Sequence, residues 1–219
     1  MMDESFNRAR EVMIQRQLIR RGITDARVLA AMREVPRHLF VPEGSADQAY
    51  DDHPLPIGEG QTISQPYIVS LMTVLLDIPA GGRVLELGTG SGYQTALLAR
   101  LAAEVYTVER IPSLARRAQQ IMELLEINNV RFRTGDGTMG WPEAAPFDGI
   151  MVTAAAPSVP QPLLEQLAVG GRLVIPVGSH YLQTLTVITR DASGNCTSHD
   201  EGGCVFVKLI GRYGWDSES

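Results

Sequence analysis

Three glycines at alternate positions, Gly88, Gly90 and Gly92, follow directly on the short run Val84-Leu85-Glu86-Leu87 and lead into Thr95-Ala96-Leu97-Leu98-Ala99. An apolar strand, a glycine turn and a helical pattern make up the first unit of a doubly wound α/β sheet. The ligand crevice of such a sheet lies outside the carboxyl end of that strand. The glycines allow a ligand close to the backbone and take φ values that other residues resist. A dinucleotide turn is spaced Gly-x-Gly-x-x-Gly. Here the third glycine comes one residue sooner, and the acid Glu86 sits within the strand end, so a nicotinamide dehydrogenase is disfavoured.

The form Glu86-x-Gly88-x-Gly90-x-Gly92 resembles motif I of S-adenosylmethionine-dependent methyltransferases. That cofactor has no pyrophosphate, so the turn needs only to pass close to its methionine and ribose. Glu86 can then accept bonds from a cationic amino group, directly or through water. The elements downstream agree with the fold. A second strand, Val105 to Val108, ends in Glu109, 23 residues past Glu86, near where an acid binds ribose hydroxyls. Pro112 opens a helix through Leu125. A third strand, Val130 to Arg133, runs into Gly135-Asp136-Gly137, where Asp136 can accept a bond from an adenine amino group. Phe147 to Val152 is a fourth strand, leading to the small-residue loop Thr153 to Pro157. Leu163 to Leu167 is helical, and Gly170 to Gly178 is a fifth strand. Thr184 to Thr189 and Cys204 to Ile210 are expected to pair across the Asp191-to-Gly203 loop. The expected fold class is α/β: a doubly wound, Rossmann-like seven-stranded sheet, mostly parallel with a C-terminal antiparallel strand, plus an N-terminal helical addition.

That addition is legible in Phe6 to Arg21, a helical pattern with a basic solvated face. Gly22 is placed as its C-cap, Thr24-Asp25 as the next N-cap, and Pro36 as the stop of the second helix. A proline-rich segment from Val35 to Ile57 has little periodicity, and long ordered loops of this kind usually carry function. Gly58 to Tyr67 follows, with Thr62 and Ser64 just ahead of Pro66, which can start a helix. Hydroxyls and free N–H groups at a helix N-terminus favour carboxylates. A bare helix cap is the competing role for Ser64. One domain spans 1–219, with helices and substrate loop in 1–60 and the cofactor-binding core and final strands in 61–219.

The fourth-strand loop narrows the acceptor. Thr153 to Pro157 offers no polar clamp for a base amine, and no acid from Thr153 to Pro160 could hold Mg²⁺ for a diol. Hydrophobic residues make up 44% of the 219, enough for a sizeable core, and a net charge of -6 argues against a large nucleic-acid footprint. No membrane-length apolar stretch and no signal-peptide core is present, so a cytoplasmic protein is expected, with no membrane partner, no nucleic acid and no metal. Cys196 and Cys204 flank a polar stretch where a disulfide is conceivable but disfavoured.

Across nearly its whole length the chain is similar to the bacterial protein-L-isoaspartate O-methyltransferases. The resemblance is carried by Val35-Pro36-Arg37-His38-Leu39-Phe40-Val41-Pro42, Tyr50 to Ile57, Gly60 to Tyr67, Glu86 to Tyr93, Gly135 to Gly137, Val152 to Pro157 and Gly170 to Gly178. Gln61-Thr62-Ile63-Ser64-Gln65-Pro66 is its most specific part. A polar tail after Trp215 departs from the family without touching a motif. The resemblance implies methyl transfer from S-adenosyl-L-methionine to the α-carboxylate of L-isoaspartyl residues in damaged proteins and peptides, giving S-adenosyl-L-homocysteine and an ester that returns through succinimide. It implies Ser64 as the catalytic residue that orients the carboxylate. The implied cofactor contacts are Gln61, Thr62, Ile63, Ser64, Glu86, Gly88, Gly90, Ser91, Gly92, Glu109, Arg110, Asp136 and Gly137. A monomer is expected. An α-carboxyl of pKa about 3.5 is already ionised at neutral pH, so no base is needed and His38 and His53 are expected to be structural. A methyltransferase for another carboxylate or small O-acceptor stays open, as does a scaffold that binds the cofactor without turnover.

Overall fold

The computed structural model describes residues 2–216; the polar tail beyond Asp216 lies outside them. Two helices open the chain, α1 (Met2–Met13) and α2 (Ala26–Glu34). Between them the helix widens into a π turn, Ile14–Leu18, and then tightens into a 3-10 turn, Ile19–Arg21. Gly22 ends this stretch at φ 92°, its N–H bonded to the Ile19 carbonyl, as a left-handed C-cap does. Asp25 caps α2, its carboxylate accepting from the N–H groups of Arg27 and Val28.

A hairpin begins at the end of the proline-rich segment, where no regular structure is expected, and extends into the Gly58-to-Tyr67 stretch. Strands β1 (Leu55–Gly58) and β2 (Gln61–Ile63) pair antiparallel. Glu59 and Gly60, both at positive φ, turn the chain between them, the twist that suits a tight hairpin. Pro66 then starts α3 (Pro66–Leu76).

The remaining elements alternate: β3 (Arg83–Leu87), α4 (Tyr93–Leu101), β4 (Glu104–Glu109), α5 (Pro112–Leu124), β5 (Val130–Thr134), β6 (Phe147–Val152), α6 (Gln161–Gln166), β7 (Leu167–Gly178), β8 (Gln183–Arg190) and β9 (Cys196–Cys204). Their sheet order is β5-β4-β3-β6-β7-β8-β9. The first five are parallel, and β8 is antiparallel to both β7 and β9. The order reverses at β3, whose neighbours are β4 and β6, and the crevice therefore opens beyond the end of β3.

Successive residues of a strand face opposite sides. Val84, Val105, Met151 and Val174 pack with α1, α2, α3 and α4 on one face. Leu85, Leu87, Ile150 and Leu173 pack with α6 on the other. The N-terminal addition is thus part of the main core: Met13, Ile14, Leu18 and Met32 are fully buried. No helix among the described residues is long and apolar enough to cross a membrane.

The end of the sheet differs from expectation. The strand paired with β8 is Cys196–Cys204, and the loop is only 191–195, held by Asp191 Oδ1 accepting from the Ser193 and Asn195 N–H groups. β9 is an exposed edge strand with no buried face, so it carries no apolar alternation to recognise. The alternation of Cys204 to Ile210 belongs instead to a crossing segment, whose Leu209 N–H bonds to the Ala155 carbonyl at 2.8 Å. Cys196 and Cys204 are free thiols at opposite ends of β9. Eight strand steps of about 3.3 Å part them, beyond the reach of a disulfide.

Candidate active site

Two cavities meet beyond the end of β3. The inner one is lined by the hairpin, the glycine turn, the end of β4 and the crossing segment. The outer one is a groove between α3 and the β8–β9 edge. They share Thr62, Ser64, Thr153, Phe206 and Val207.

The glycine turn is shaped by close approaches. Gly88 has φ +94°, and a Cβ there would lie 2.5 Å from Thr153 Oγ1. The Thr153 hydroxyl donates to the Gly88 carbonyl at 2.5 Å, clamping the turn to the end of β6. A Cβ on Gly92 would lie 3.0 Å from the Ala118 methyl on α5. Gly92 thus serves packing, while Gly88, Gly90 and Ser91 line the inner cavity.

Glu109 closes the turn from the side. Its Oε2 accepts from the Gly90 N–H and its Oε1 from the Ile111 N–H, both at 2.8 Å. Each oxygen keeps a further lone pair, and the residue lines the cavity beside the exposed Arg110. The donor set suits S-adenosylmethionine: a glycine cradle without side chains, a carboxylate placed for vicinal hydroxyls, and apolar cover from Ile63, Ile111 and Leu209.

Besides Gly92, two expected contacts stand elsewhere. Glu86 points from β3 to the Val84 face, beneath α4, and is not among the cavity-lining residues. Its Oε2 accepts from the hydroxyls of Thr95 (2.5 Å) and Thr107 (2.7 Å). Burial pushes its carboxyl up to about 8, partly offset by these two bonds. The Thr107 hydroxyl also lies 2.6 Å from that of Thr89, which does line the cavity. Glu86 therefore reaches the turn only through a threonine relay. Asp136 is likewise set back. Its Oδ1 accepts from the Thr138 N–H and hydroxyl, and its Oδ2 from the Arg212 N–H. Gly137 alone of that pair lines the cavity.

Ser64 lies between β2 and α3, half-buried, where the two cavities join. Gln65 is the N-cap residue of α3 and makes no side-chain capping bond, so Ser64 is not a helix cap. Its hydroxyl makes no hydrogen bond among the described residues. Its backbone is pinned by Arg37, a fully buried side chain that the sequence reading did not single out. Arg37 Nη2 donates to the Ser64 carbonyl at 2.8 Å and Nε to the Ala49 carbonyl at 2.6 Å. Burial draws Arg37 down to about 10, so it stays charged at neutral pH. Gln61, Thr62 and Ile63 line the inner cavity with Ser64. His38 is 2.8 Å from the Tyr50 hydroxyl and stacks on Phe6; His53 contacts the Pro54 carbonyl. Neither histidine is among the residues lining the two cavities.

Gln94, Phe206 and Lys208, which no motif marks, also line the inner cavity, together with Thr153 from the small-residue loop after the fourth strand. Thr153 had a sequence signal, being the first residue after a parallel strand at a switch point.

Comparison with known proteins shows what the chain as a whole is similar to. The family model described as protein-L-isoaspartate(D-aspartate) O-methyltransferase matches residues 8–214. The chain is 56% identical to the protein-L-isoaspartate O-methyltransferase of Geobacter metallireducens, over 98% of this chain and 99% of the relative. It is 55% identical to that of Syntrophus aciditrophicus, with the same shares covered. A Plasmodium falciparum structure assigned to protein-L-isoaspartate O-methyltransferase, in complex with S-adenosyl-L-homocysteine, superposes with TM-score 0.79 at 29% identity, covering 92% of this chain and 97% of that one. A second structure of that name superposes with TM-score 0.83 at 29% identity, covering 94% of this chain and 67% of that one.

Proposed function

The chain belongs to the protein-L-isoaspartate(D-aspartate) O-methyltransferase family, and on that premise we infer how its two cavities divide the reaction. The protein is a repair methyltransferase that esterifies the α-carboxylate of L-isoaspartyl residues at the expense of S-adenosylmethionine. The ester then closes to a succinimide, from which normal aspartyl linkages are recovered. Bound S-adenosylmethionine supplies an electrophilic methyl group on a sulfonium. The residues that would hold it are Gly88, Gly90, Ser91 and Glu109, with Gln61, Thr62 and Ile63 as cover and the exposed Arg110 and buried Gly137 completing the lining.

The observation that carries this assignment is the junction. The Ser64 hydroxyl, which like that of Thr62 makes no hydrogen bond among the described residues, stands where the inner chamber opens into the outer groove, on a backbone held by Arg37. The acceptor carboxylate is already an anion and needs no base. It needs orientation, since alignment of reacting atoms at about 3 Å accounts for much of the acceleration of such a transfer. A neutral hydroxyl suits that task. A fixed cation would hold the carboxylate charge that is lost on esterification, stabilising the ground state more than the transition state. Arg37 contributes through the backbone, fixing where Ser64 stands.

The test is transfer of labelled methyl to paired peptides that differ only in isoaspartyl or aspartyl at one position. Base-labile label on the isoaspartyl peptide alone is expected. Equal label on both, or label only on small carboxylates, would replace this acceptor with another.

A further inference from the structure

We propose that Glu201 is a specificity determinant of the outer groove, selecting acceptor segments with Lys or Arg beside the isoaspartyl residue over those with Asp or Glu. The proposal rests on reading the outer groove as the acceptor site.

Glu201 owes its place to a bulge. Strand β9 pairs Gly203 with Thr184 and Asp200 with Thr186, so Leu185 alone faces both Glu201 and Gly202. A bulge of this kind re-aims side chains next to functional sites. Leu185, Glu201, Gly202 and Gly203 all line the groove. The adjacent acid is directed elsewhere: Asp200 Oδ1 accepts from the hydroxyl of Thr186 at 3.1 Å, on the opposite side of β8 from Leu185.

Only two groove-lining side chains carry charge at neutral pH, Arg21 and Glu201. The Cys204 thiol is pushed up to about 11 by burial and stays neutral. The Arg21 charge is offset by Asp52, with Nη1 2.6 Å from Oδ2, and its guanidinium lies 3.3 Å over the Tyr67 ring. Among the described residues, Glu201 pairs with His199 alone, at 2.9 Å, a partner that is charged only when protonated. The net field of the groove wall is therefore negative. Glu201 also stands outside the set of residues shared with the inner cavity. An acceptor carboxylate at Ser64 lies at the inner end, and the polypeptide leading outward brings its flanking side chains to Glu201.

The experiment measures kcat and KM for isoaspartyl peptides carrying Lys, Gln or Glu next to the isoaspartyl residue, in one series on its N-terminal side and in another on its C-terminal side. The protein, Glu201→Gln and Glu201→Lys are compared, each also on a His199→Gln background to remove the imidazole. A Lys-over-Glu preference of roughly tenfold is expected in at least one series, carried by KM and fading with salt. Glu201→Gln should level it and Glu201→Lys should invert it. A preference unchanged in both variants, or one carried by kcat, would overturn the proposal. Failure of the underlying reading looks different: no isoaspartyl peptide of either series would be methylated by the unaltered protein.

Discussion

Ser64 and Glu109 divide the labour of the site at the scale of single residues, and substitutions separate them. Ser64→Ala removes a hydroxyl that makes no bond within the described residues, so the fold loses nothing by it. Turnover should fall by roughly a hundredfold through lost alignment, while the S-adenosylmethionine dissociation constant measured by calorimetry stays where it was. Unchanged turnover would remove Ser64 from the reaction. Glu109→Ala strips acceptors from the Gly90 and Ile111 N–H groups as well as from any ligand hydroxyl. Hydrogen bonds to a charged group are worth about 1.5–3 kcal/mol, so cofactor affinity should drop by about tenfold or more, with the acceptor KM little altered at saturating cofactor. An unaltered dissociation constant would refute the ribose assignment.

At the scale of elements, β3 shows how a motif residue can act without touching a ligand. Glu86 and Leu87 are neighbours in sequence but face opposite cores, and Glu86 meets α4 through Thr95 and β4 through Thr107. The folded state holds this carboxyl at about 8 against an ordinary 4.5. Below the ordinary value both folded and unfolded chains are protonated. As pH rises toward 8 the unfolded chain releases its proton and the folded one retains it, so stability declines across that window by up to about 1.4 kcal/mol per pH unit. Glu86→Gln abolishes this term. Its Tm should exceed that of the unaltered protein by a margin that widens from pH 5 to pH 8, and a constant margin would sink the argument. The same strand explains which parts of the site could be seen in advance. Gly88, Gly90 and Glu109 were legible because turn chemistry and strand ends are local properties. The setting back of Glu86 was not, because spacing places an acid near a turn without stating which face of the strand it takes. The β1–β2 hairpin escaped notice for a related reason: strands of four and three residues are too short for alternation to register, and Pro56 and Gly58 interrupt the first. β9 escaped because an edge strand exposed on both faces has none to show.

At the scale of the whole molecule, segments from both halves of the chain converge on the crevice beyond the end of β3. The 3-10 turns after α1 and α2, Ile19–Arg21 and Arg37–Phe40, deliver Arg21 and Arg37, and the segment after β9 crosses back to roof the inner cavity with Lys208, Leu209 and Ile210. Apolar spacing and cap residues located the N-terminal helices, but only tertiary contact reveals that Arg37 is buried and braces Ser64. The roof is tied down at Asp136. Besides the Arg212 N–H, the Gly211 Cα side lies so close that a Cβ there would clash with Asp136 Oδ1, and the Thr138 hydroxyl accepts from the Tyr213 N–H at 3.1 Å. Asp136 on this account acts on the cofactor through the roof. Asp136→Ala should release 208–215 and weaken cofactor binding by about tenfold, the loss of roughly one charge-assisted hydrogen bond. Amide exchange at residues 209–215 should rise without cofactor and recover only partly at saturating cofactor. Direct adenine contact alone would weaken binding to the same degree yet leave exchange of the cofactor-free protein unchanged, and that result would return Asp136 to the lining of the cavity.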